Sequence, residues 1–522
     1  MEFCSILFGA DEQKLINETP DFFHDLQLDY LVGRILEETE GYETAPYFYT
    51  FPGSKELISY RQKVFSDIVS EELCEIIQKF CRHLAESKKI YSLSLEMKRD
   101  VAKATYHLQA ATHYWEAVLA LHSDLQAVRE SLKSEGMKEF ADYIEKEIRL
   151  KQEQGFEEAL TNANRFFSEL TFRLSMDPDK ICVVENRIEA KRKNTEKEKE
   201  AHKNYLEELA NLLGEEPDPA AYVMTDIFPD PLKESHLEHV LIGILRKSKP
   251  KVFEEIRKFY EKYPEVYSKR LLDFAEEIQF YLSFRKFWLR TREMGYPMET
   301  PVISDAGEFY GSEVYDVALV WKQEFNDYEV VSNQFTMKEH PCFFVVTGPN
   351  QGGKTTFARS MGQAVYFTLM GLPVNAQSFT MPFFHDISTH FEAEEKLQSN
   401  SGKLKEEINR LIPMMAKTQN RNMFVILNEL FTTATTHDAM IMGRKVMETF
   451  LERECYGIYV THIQELAEET ERIISLVAQL EPGEESRRTY RMLPMKAQGY
   501  GYSDALVKKF HLEYEDIIRR LS

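Results

Sequence analysis

Apolar residues at helical spacing dominate the first 300 residues of the chain. In one long segment they recur every three or four positions, at Leu108, Ala111, Trp115, Val118, Leu121, Leu125, Val128 and Leu132. This spacing predicts an apolar stripe on a long helix, and packing in a core is the expected role of the stripe. Ser54 and Ser70 precede further helical patterns, each with a glutamate shortly after, as helix starts do. We therefore expect residues 1–300 to be almost entirely helical.

One stretch of this helical region is dense in charge and poor in apolar residues. It reads RIEAKRKNTEKEKEAHKNYLEEL and covers residues 187–209. The composition favours a solvated helix or helical hairpin that projects from the body. An alternative is an arm that contacts the phosphates of a nucleic acid. The cations available for such contacts are Lys191, Arg192, Lys193 and Lys197.

The pattern changes near residue 300. Short apolar runs now alternate with helical patterns: FFVV at 343–346, FVIL at 424–427 and GIYV at 457–460. Such alternation is typical of an α/β domain with a mostly parallel sheet. The predicted fold class is thus α + α/β, with an all-helical body of about 300 residues followed by an α/β domain of about 220.

The stretch VVTGPNQGGKTTFARS, residues 345–360, fits the pattern G-x-x-x-x-G-K-[ST] between a predicted strand and a predicted helix. Glycines let backbone N–H groups close around phosphates, and the helix start adds the positive end of its dipole. Lys354 is expected to reach the β- and γ-phosphates of a nucleotide, and Thr355 to ligate Mg²⁺. The predicted nucleotide-binding residues are Gly348, Pro349, Asn350, Gln351, Gly352, Gly353, Lys354, Thr355 and Thr356.

Two other predicted strands end in polar residues. FVIL leads into Asn428 and Glu429, where P-loop ATPases usually carry an Asp that helps to hold Mg²⁺ and a Glu that orients or activates water. Asn428 is uncharged and should hold Mg²⁺ less firmly, through water, whereas Glu429 is the candidate base. GIYV leads into Thr461 and His462. A lone His is often structural, but parallel strands bring their carboxyl ends to one edge, which favours a catalytic role for His462.

Composition narrows the class of protein further. The chain has 522 residues, 43% of them hydrophobic, and carries a net charge of −22. This balance argues against a broadly basic surface but leaves room for a local basic groove among 64 Lys and Arg residues. The six cysteines form no CxxC pair, so zinc and disulfide frameworks are not expected. No apolar run approaches the ~20 residues that span a bilayer, so we expect a cytoplasmic protein without a membrane segment.

Together these motifs resemble those of the MutS-type mismatch-repair ATPases, within the ABC-like P-loop class. The family's TGPNMGGKST is here TGPNQGGKTT, its DEIGRGTSTxDG is NELFTTATTHDA, and its ATHxxEL is VTHIQEL. LQLDYLVGRI, FPGSKELISYRQKVFSDI and EIQFYLSFRKF resemble parts of the family's core domain, so the resemblance covers most of the chain. It implies a core-like domain over 1–300, with a lever and clamp arm around 130–260. An ATPase domain with C-terminal dimerisation helices would follow over 301–522.

The chain also departs from the family pattern. The core-like segment begins near residue 26, which leaves no room for the family's mismatch-reading and connector domains. The usual Asp is replaced by Asn428. The signature loop, which a partner subunit presents to the γ-phosphate, is expected at Ser401, Gly402 and Lys403, but the family's Ser-Thr pair is missing. Lys403 or Lys405 could supply positive charge instead.

The resemblance implies a homodimer that binds ATP and Mg²⁺ at composite sites. The leading hypothesis is an ATPase, weak or DNA-stimulated, that binds double-stranded or branched DNA in repair or recombination without its own mismatch wedge. Other repair proteins would be further partners. The alternative is a nucleotide-gated interaction protein with little ATPase activity and no direct role on DNA. A small-molecule kinase fits less well because it leaves the helical body without a role.

Overall fold

The protein is described from a computed structural model, and its chain divides into two compact units. The structure describes the chain except residues 1–2, 12, 38, 40, 98–99, 169, 178–179, 189–249, 324–328, 338–339, 392–401, 419–421, 482–483, 498–517 and 519–522. Unit 1 comprises Met1–Ser70, Leu132–Lys138 and Asp273–Ser522, and unit 2 comprises Glu71–Ser131 and Glu139–Leu272. This division differs from the expected single boundary near residue 300, because the N-terminal segment groups with the C-terminal half.

Helices make up most of the first 300 residues. Unit 1 contributes α1 (Phe22–Asp25), α2 (Leu28–Leu36), α3 (Ala45–Tyr49) and α4 (Lys55–Ile68). The next helices are α5 (Glu71–Glu96), α6 (Asp100–Val128), α7 (Glu135–Glu153), α8 (Phe156–Ser168), α9 (Pro250–Lys262) and α10 (Lys269–Glu293). The predicted apolar stripe is confirmed: its first seven residues lie on α6, and all eight are buried.

A β-hairpin interrupts the helical body, so the expectation of an almost entirely helical region is wrong there. Strands β1 (Leu170–Asp177) and β2 (Lys180–Ile188) pair antiparallel, with Leu170 opposite Ile188. The reason is local: β2 includes the run ICVV, whose branched side chains favour extended backbone, and DPDK joins the strands with turn-forming residues. Of the charged segment 187–209, only the first two residues are described, as the end of β2.

The described residues of unit 1 form two sheets. The four-stranded sheet has the order β3 (Val302–Ser304), β7 (Ser378–Pro382), β4 (Phe309–Val314), β5 (Asn333–Met337). The six-stranded sheet has the order β12 (Glu484–Pro494), β11 (Ile473–Glu481), β6 (Phe343–Thr347), β10 (Tyr456–Val460), β9 (Met423–Asn428), β8 (Asp386–His390). All its pairings are parallel except that of β11 with β12. The prediction of a helical region plus an α/β region with a mostly parallel sheet is therefore confirmed.

Four further α-helices are described in unit 1, and all but the first of them pack against this sheet. They are α11 (Val317–Gln323), α12 (Lys354–Met370), α13 (Lys403–Lys417) and α14 (Thr436–Glu452). Helix α12 is buried over most of its length, which requires cover on more than its sheet side. Part of that cover comes from the N-terminal segment: the Tyr366 hydroxyl donates to the carbonyl of Phe48 at 2.8 Å, and the Gln363 amide to that of Leu26 at 3.0 Å.

Close packing at Gly362 shows why the N-terminal segment belongs to unit 1. A Cβ atom there would lie 2.6 Å from a methyl group of Leu26 and 2.7 Å from one of Ile426, so helix α12 is wedged between the N-terminal segment and β9. Burial of this helix thus requires residues from both ends of the chain. Among the described helices, none is long and apolar enough to cross a membrane.

Candidate nucleotide site

The glycine-rich loop lies between the central strand β6 and the start of α12. Gly348 and Gly353 have φ angles of +126° and +86°, a region that side-chain-bearing residues rarely adopt. A Cβ at Gly348 would also lie 2.9 Å from the Cβ of Ala478 on β11, and one at Gly352 would lie 2.9 Å from the carbonyl oxygen of Pro349. The glycines are therefore required both for the path of the backbone and for its close contacts with neighbouring groups.

Lys354 opens α12 and turns its side chain back into the loop. Its ammonium group donates to the carbonyl oxygens of Gly348 at 3.0 Å and Pro349 at 3.3 Å. Burial lowers the pKa of this ammonium, and the nearby Glu429 carboxylate opposes the effect. As at any helix start, the first N–H groups of α12 have no intrahelical acceptor. The site thus combines a desolvated cation with free backbone donors, the chemistry that binds an anion.

The pairing register places the carboxyl ends of β6, β9 and β10 at the same edge of the sheet. Val460 on β10 is paired with Val346 on β6 and with Asn428 on β9. The next residues along β9 and β10, Glu429 and Thr461, therefore emerge at the same edge as the glycine-rich loop. This is the convergence that the sequence predicts for a parallel sheet.

Thr355 and Asn428 meet across this edge. The Thr355 hydroxyl donates to the side-chain oxygen of Asn428 at 3.0 Å. Hydroxyl and amide oxygens are hard donors of the kind that Mg²⁺ accepts alongside water and phosphate oxygens, so the pair fits a magnesium ion chemically. Both groups are neutral, however, and hold the ion less strongly than a set with a carboxylate. Within the described residues, no group of three or more His, Cys, Asp or Glu could hold a metal ion by itself.

Glu429 and His462 form the second contact at this edge. The His462 Nε2 atom lies 3.0 Å from the Glu429 Oε1 atom. The hydrogen bond to His462 lowers the pKa of Glu429; burial opposes this, and the charges of His462 and Lys354 reinforce it. Glu429 has a φ angle of +53°, and its N–H donates to the carbonyl of Val460 at 2.9 Å. The result is an ionised, half-buried carboxylate held in a fixed orientation beside the phosphate loop.

A cavity of about 420 Å³ opens in front of the loop. Its wall includes residues 350–356 and Glu429. Gly348, Pro349, Asn428 and His462 are not part of the wall. The wall also includes residues that the sequence did not predict. They are Asp316, Leu319, Glu329, Val330, Val331, Asn333, Phe357, Ser360 and Tyr490.

Tyr490 is a wall residue with left-handed backbone. Its φ angle is +58°, and its ring approaches Gly353, where a Cβ would lie 3.3 Å from Cδ1. Asn333 holds this part of β12 in place, because its amide donates to the carbonyl of Tyr490 at 3.1 Å and accepts the N–H of Met492 at 2.8 Å. No local motif marks Tyr490 or Asn333 in the sequence; only the pairing of distant segments brings them to the cavity.

Several predicted site residues are outside the described residues or directly follow an undescribed segment. Ser401 and the four arm cations, Lys191, Arg192, Lys193 and Lys197, are outside the described residues. Gly402 precedes α13 in an extended conformation, and Lys403 is the first residue of that helix. The predicted C-terminal dimerisation helices also fall almost wholly outside the described residues. The trans-site and DNA-contact assignments therefore stay predictions.

A mostly parallel sheet with a glycine-rich loop between its central strand and a buried helix is an arrangement typical of phosphate-binding α/β proteins. Residues 344–495 match the family described as MutS domain V. The DNA mismatch repair protein MutS of Thermotoga maritima is 30% identical over 138 residues, which are 26% of this chain and 17% of that protein. Residues 344–495 of the chain are thus similar to MutS domain V.

Two further relatives are similar to part of this chain. Endonuclease MutS2 of Thermus thermophilus is 25% identical over 195 residues, 37% of this chain and 26% of the relative. The DNA mismatch repair protein MSH6 of Arabidopsis thaliana is 29% identical over 130 residues, 25% of this chain and 10% of the relative. The matched part therefore spans about a quarter or less of the length of these relatives. The family match itself covers residues 344–495.

Proposed function

We propose that the chain is a cytoplasmic P-loop ATPase of MutS type that works as a homodimer on double-stranded or branched DNA, in repair or recombination. The observation that carries the ATPase part is the Glu429–His462 contact of 3.0 Å beside the glycine-rich loop. A carboxylate that stays ionised at neutral pH and is fixed at the edge of a phosphate site is suited to orient or activate a water molecule.

The other residues of the site are assigned complementary roles. Lys354 would exchange its two carbonyl contacts for phosphate oxygens, to which a charged donor binds more strongly. Thr355 and Asn428 would hold Mg²⁺, which neutralises charge on the phosphates when it is bound. The apolar side chain of Val330 and the ring of Tyr490, which both line the cavity, would contact the nucleobase. His462 would keep Glu429 ionised and oriented.

The dimeric and DNA-binding parts of the proposal rest on the similarity to MutS domain V and on the sequence. Two of the relatives are described as DNA mismatch repair proteins. Residues 401–403 of a second copy would complete the nucleotide site, and the arm cations Lys191, Arg192, Lys193 and Lys197 would contact DNA phosphates.

Steady-state ATP turnover of the purified protein tests this proposal. It should be measured alone and with homoduplex, mismatched and four-way-junction DNA, at two salt concentrations, because phosphate contacts weaken as salt rises. Glu429→Gln should abolish turnover. Glu452→Gln, the same substitution at an exposed position near the end of α14, should leave it intact. Turnover that survives Glu429→Gln would contradict the assignment of the base.

A second function is favoured by Asn428. An uncharged residue at this position weakens the magnesium site, which suits a protein that binds nucleotide as a switch and hydrolyses it barely. In that case ATP would bind and turnover would be negligible with every DNA. Crosslinking with ATP and with ADP would then show whether nucleotide controls association of the subunits.

A further inference from the structure

Helix α13 sends one carboxylate to the loop that follows β9. The side chain of Glu407 accepts the main-chain N–H of Phe431 at 2.8 Å. Glu407 lies one helical turn after Lys403, the first residue of α13. Phe431 is two residues beyond Glu429, the candidate base. This hydrogen bond joins the first turns of α13 to the segment that carries the candidate base.

The segment after β9 has a main-chain path that needs external support. Glu429 and Phe431 have φ angles of +53° and +60°, the left-handed region that is unfavourable for both residue types. Three contacts oppose this strain: the Glu429 N–H bond to Val460, burial of the Phe431 ring, and the bond from Phe431 to Glu407. The last of these is a direct hydrogen bond to α13, and the Phe431 ring is buried in a cluster that also includes Leu411 and Met414 of that helix.

The direction of the Glu407 side chain is consistent with this role. Tyr459 on β10 is fully buried, and burial together with the charge of Glu407 raises the pKa of its hydroxyl. The Glu407 carboxylate therefore lies close enough to the interior of the sheet to act on Tyr459. A carboxylate placed there binds a main-chain N–H more firmly than one facing bulk water.

We propose that Glu407 is a positioning residue that holds the main chain of residues 429–431 and thereby orients Glu429 toward His462. This inference rests on the proposed ATPase function. The helix α13 begins directly after residues 401–402 of the predicted trans-site loop. A displacement of α13 would therefore move Glu407, and with it the main chain that carries Glu429. Approach of a second subunit could in this way adjust the geometry of hydrolysis.

Hydrogen exchange measured by mass spectrometry tests the contact without any need for turnover. In Glu407→Ala, the amides of Glu429 and Phe431 should exchange about tenfold faster than in the wild type, because a hydrogen bond of ordinary strength is lost. Glu407→Gln keeps a carbonyl oxygen in place and should restore most of the protection. Glu406→Ala, the neighbouring carboxylate on α13, is the matched control and should exchange as the wild type does. Unchanged exchange at Glu429 in Glu407→Ala overturns the proposal.

Kinetics distinguish positioning from general support of the fold. Glu407→Ala should lower kcat about 10- to 100-fold through misplacement of the base, with ATP affinity and melting temperature close to the wild type. Glu407→Gln should recover most of kcat. Loss of ATP binding, or an unchanged kcat despite faster exchange, overturns the proposal. If the wild type itself does not hydrolyse ATP, the proposed ATPase function fails, and exchange at Glu429 alone decides whether Glu407 positions it.

Discussion

Asn428→Asp should strengthen the binding of Mg²⁺ in the presence of ATP. Asn428 is buried at the end of β9, and its side-chain oxygen already accepts the hydroxyl of Thr355 at 3.0 Å. Aspartate has nearly the same shape, so the substitution adds a negative charge without a change of packing. The charge is placed beside the hydroxyl expected to ligate the metal.

The expected gain in Mg²⁺ affinity is that of a hydrogen bond from a Mg²⁺-bound water to a charged acceptor at position 428 in place of a neutral one. A neutral hydrogen bond contributes about 0.5–1.5 kcal/mol, and one to a charged group about 1.5–3 kcal/mol. The gain of about 1–1.5 kcal/mol corresponds to an increase in Mg²⁺ affinity of about tenfold. Turnover should rise at limiting Mg²⁺ and change less at saturating Mg²⁺.

The assay is a Mg²⁺ titration at fixed ATP, followed by turnover and, independently of hydrolysis, by fluorescence of an ATP analogue. Asn409→Asp, which adds the same charge on the exposed surface of α13, is the control. The midpoint should fall about tenfold in Asn428→Asp only. An unchanged midpoint, or an equal fall in the control, would refute the role assigned to Asn428.

Three other predictions follow from buried charged groups. Lys354→Ala should weaken ATP binding about 10- to 100-fold, measured by calorimetry, because a charge-assisted contact to phosphate is lost; retained affinity would contradict the phosphate-site assignment. Asp316→Ala should lower the free energy of unfolding of unit 1 by about 3–5 kcal/mol in urea, because the mostly buried Arg359 loses its fully buried partner at 2.5 Å; a loss below about 1 kcal/mol would place the pair among weak surface contacts. Burial raises the pKa of Glu277 from an ordinary 4.5 to about 7, so its contribution to stability is complete below pH 4.5 and is lost as the pH rises through 7. Urea unfolding at pH 5 and pH 7 should therefore show a smaller loss of stability with pH in Glu277→Gln than in the wild type, and equal losses would contradict the shift.

Much of the candidate site could be predicted because its parts are local in sequence. A phosphate loop needs glycines, a lysine and a hydroxyl within a few residues, and residues 348–356 meet that need in one stretch. Buried parallel strands are short apolar runs, so FFVV, FVIL and GIYV predicted β6, β9 and β10. Parallel pairing then brings Glu429 and His462 to one edge with the loop.

The hairpin formed by β1 and β2 was missed although its signal is also local. The apolar and branched residues of ICVV are few, and the charged segment that follows dominates the composition of the region. A reading based on helical spacing over hundreds of residues passes over two short strands. The signal for these strands is present in the sequence, but it is shorter than the window over which helical spacing is assessed.

The sequence by itself determined strands β6, β9 and β10, the glycine-rich loop and the candidate base, because each depends on residues within a few positions of one another. Tertiary structure alone decided that residues 1–70 group with the C-terminal half, and that Asp316, Val330 and Tyr490 complete the cavity wall. It also decided that Glu407 reaches the N–H of Phe431 across 24 residues of sequence. Such contacts are set by how whole helices and strands pack, and no local pattern of side chains encodes which distant groups come within hydrogen-bonding distance.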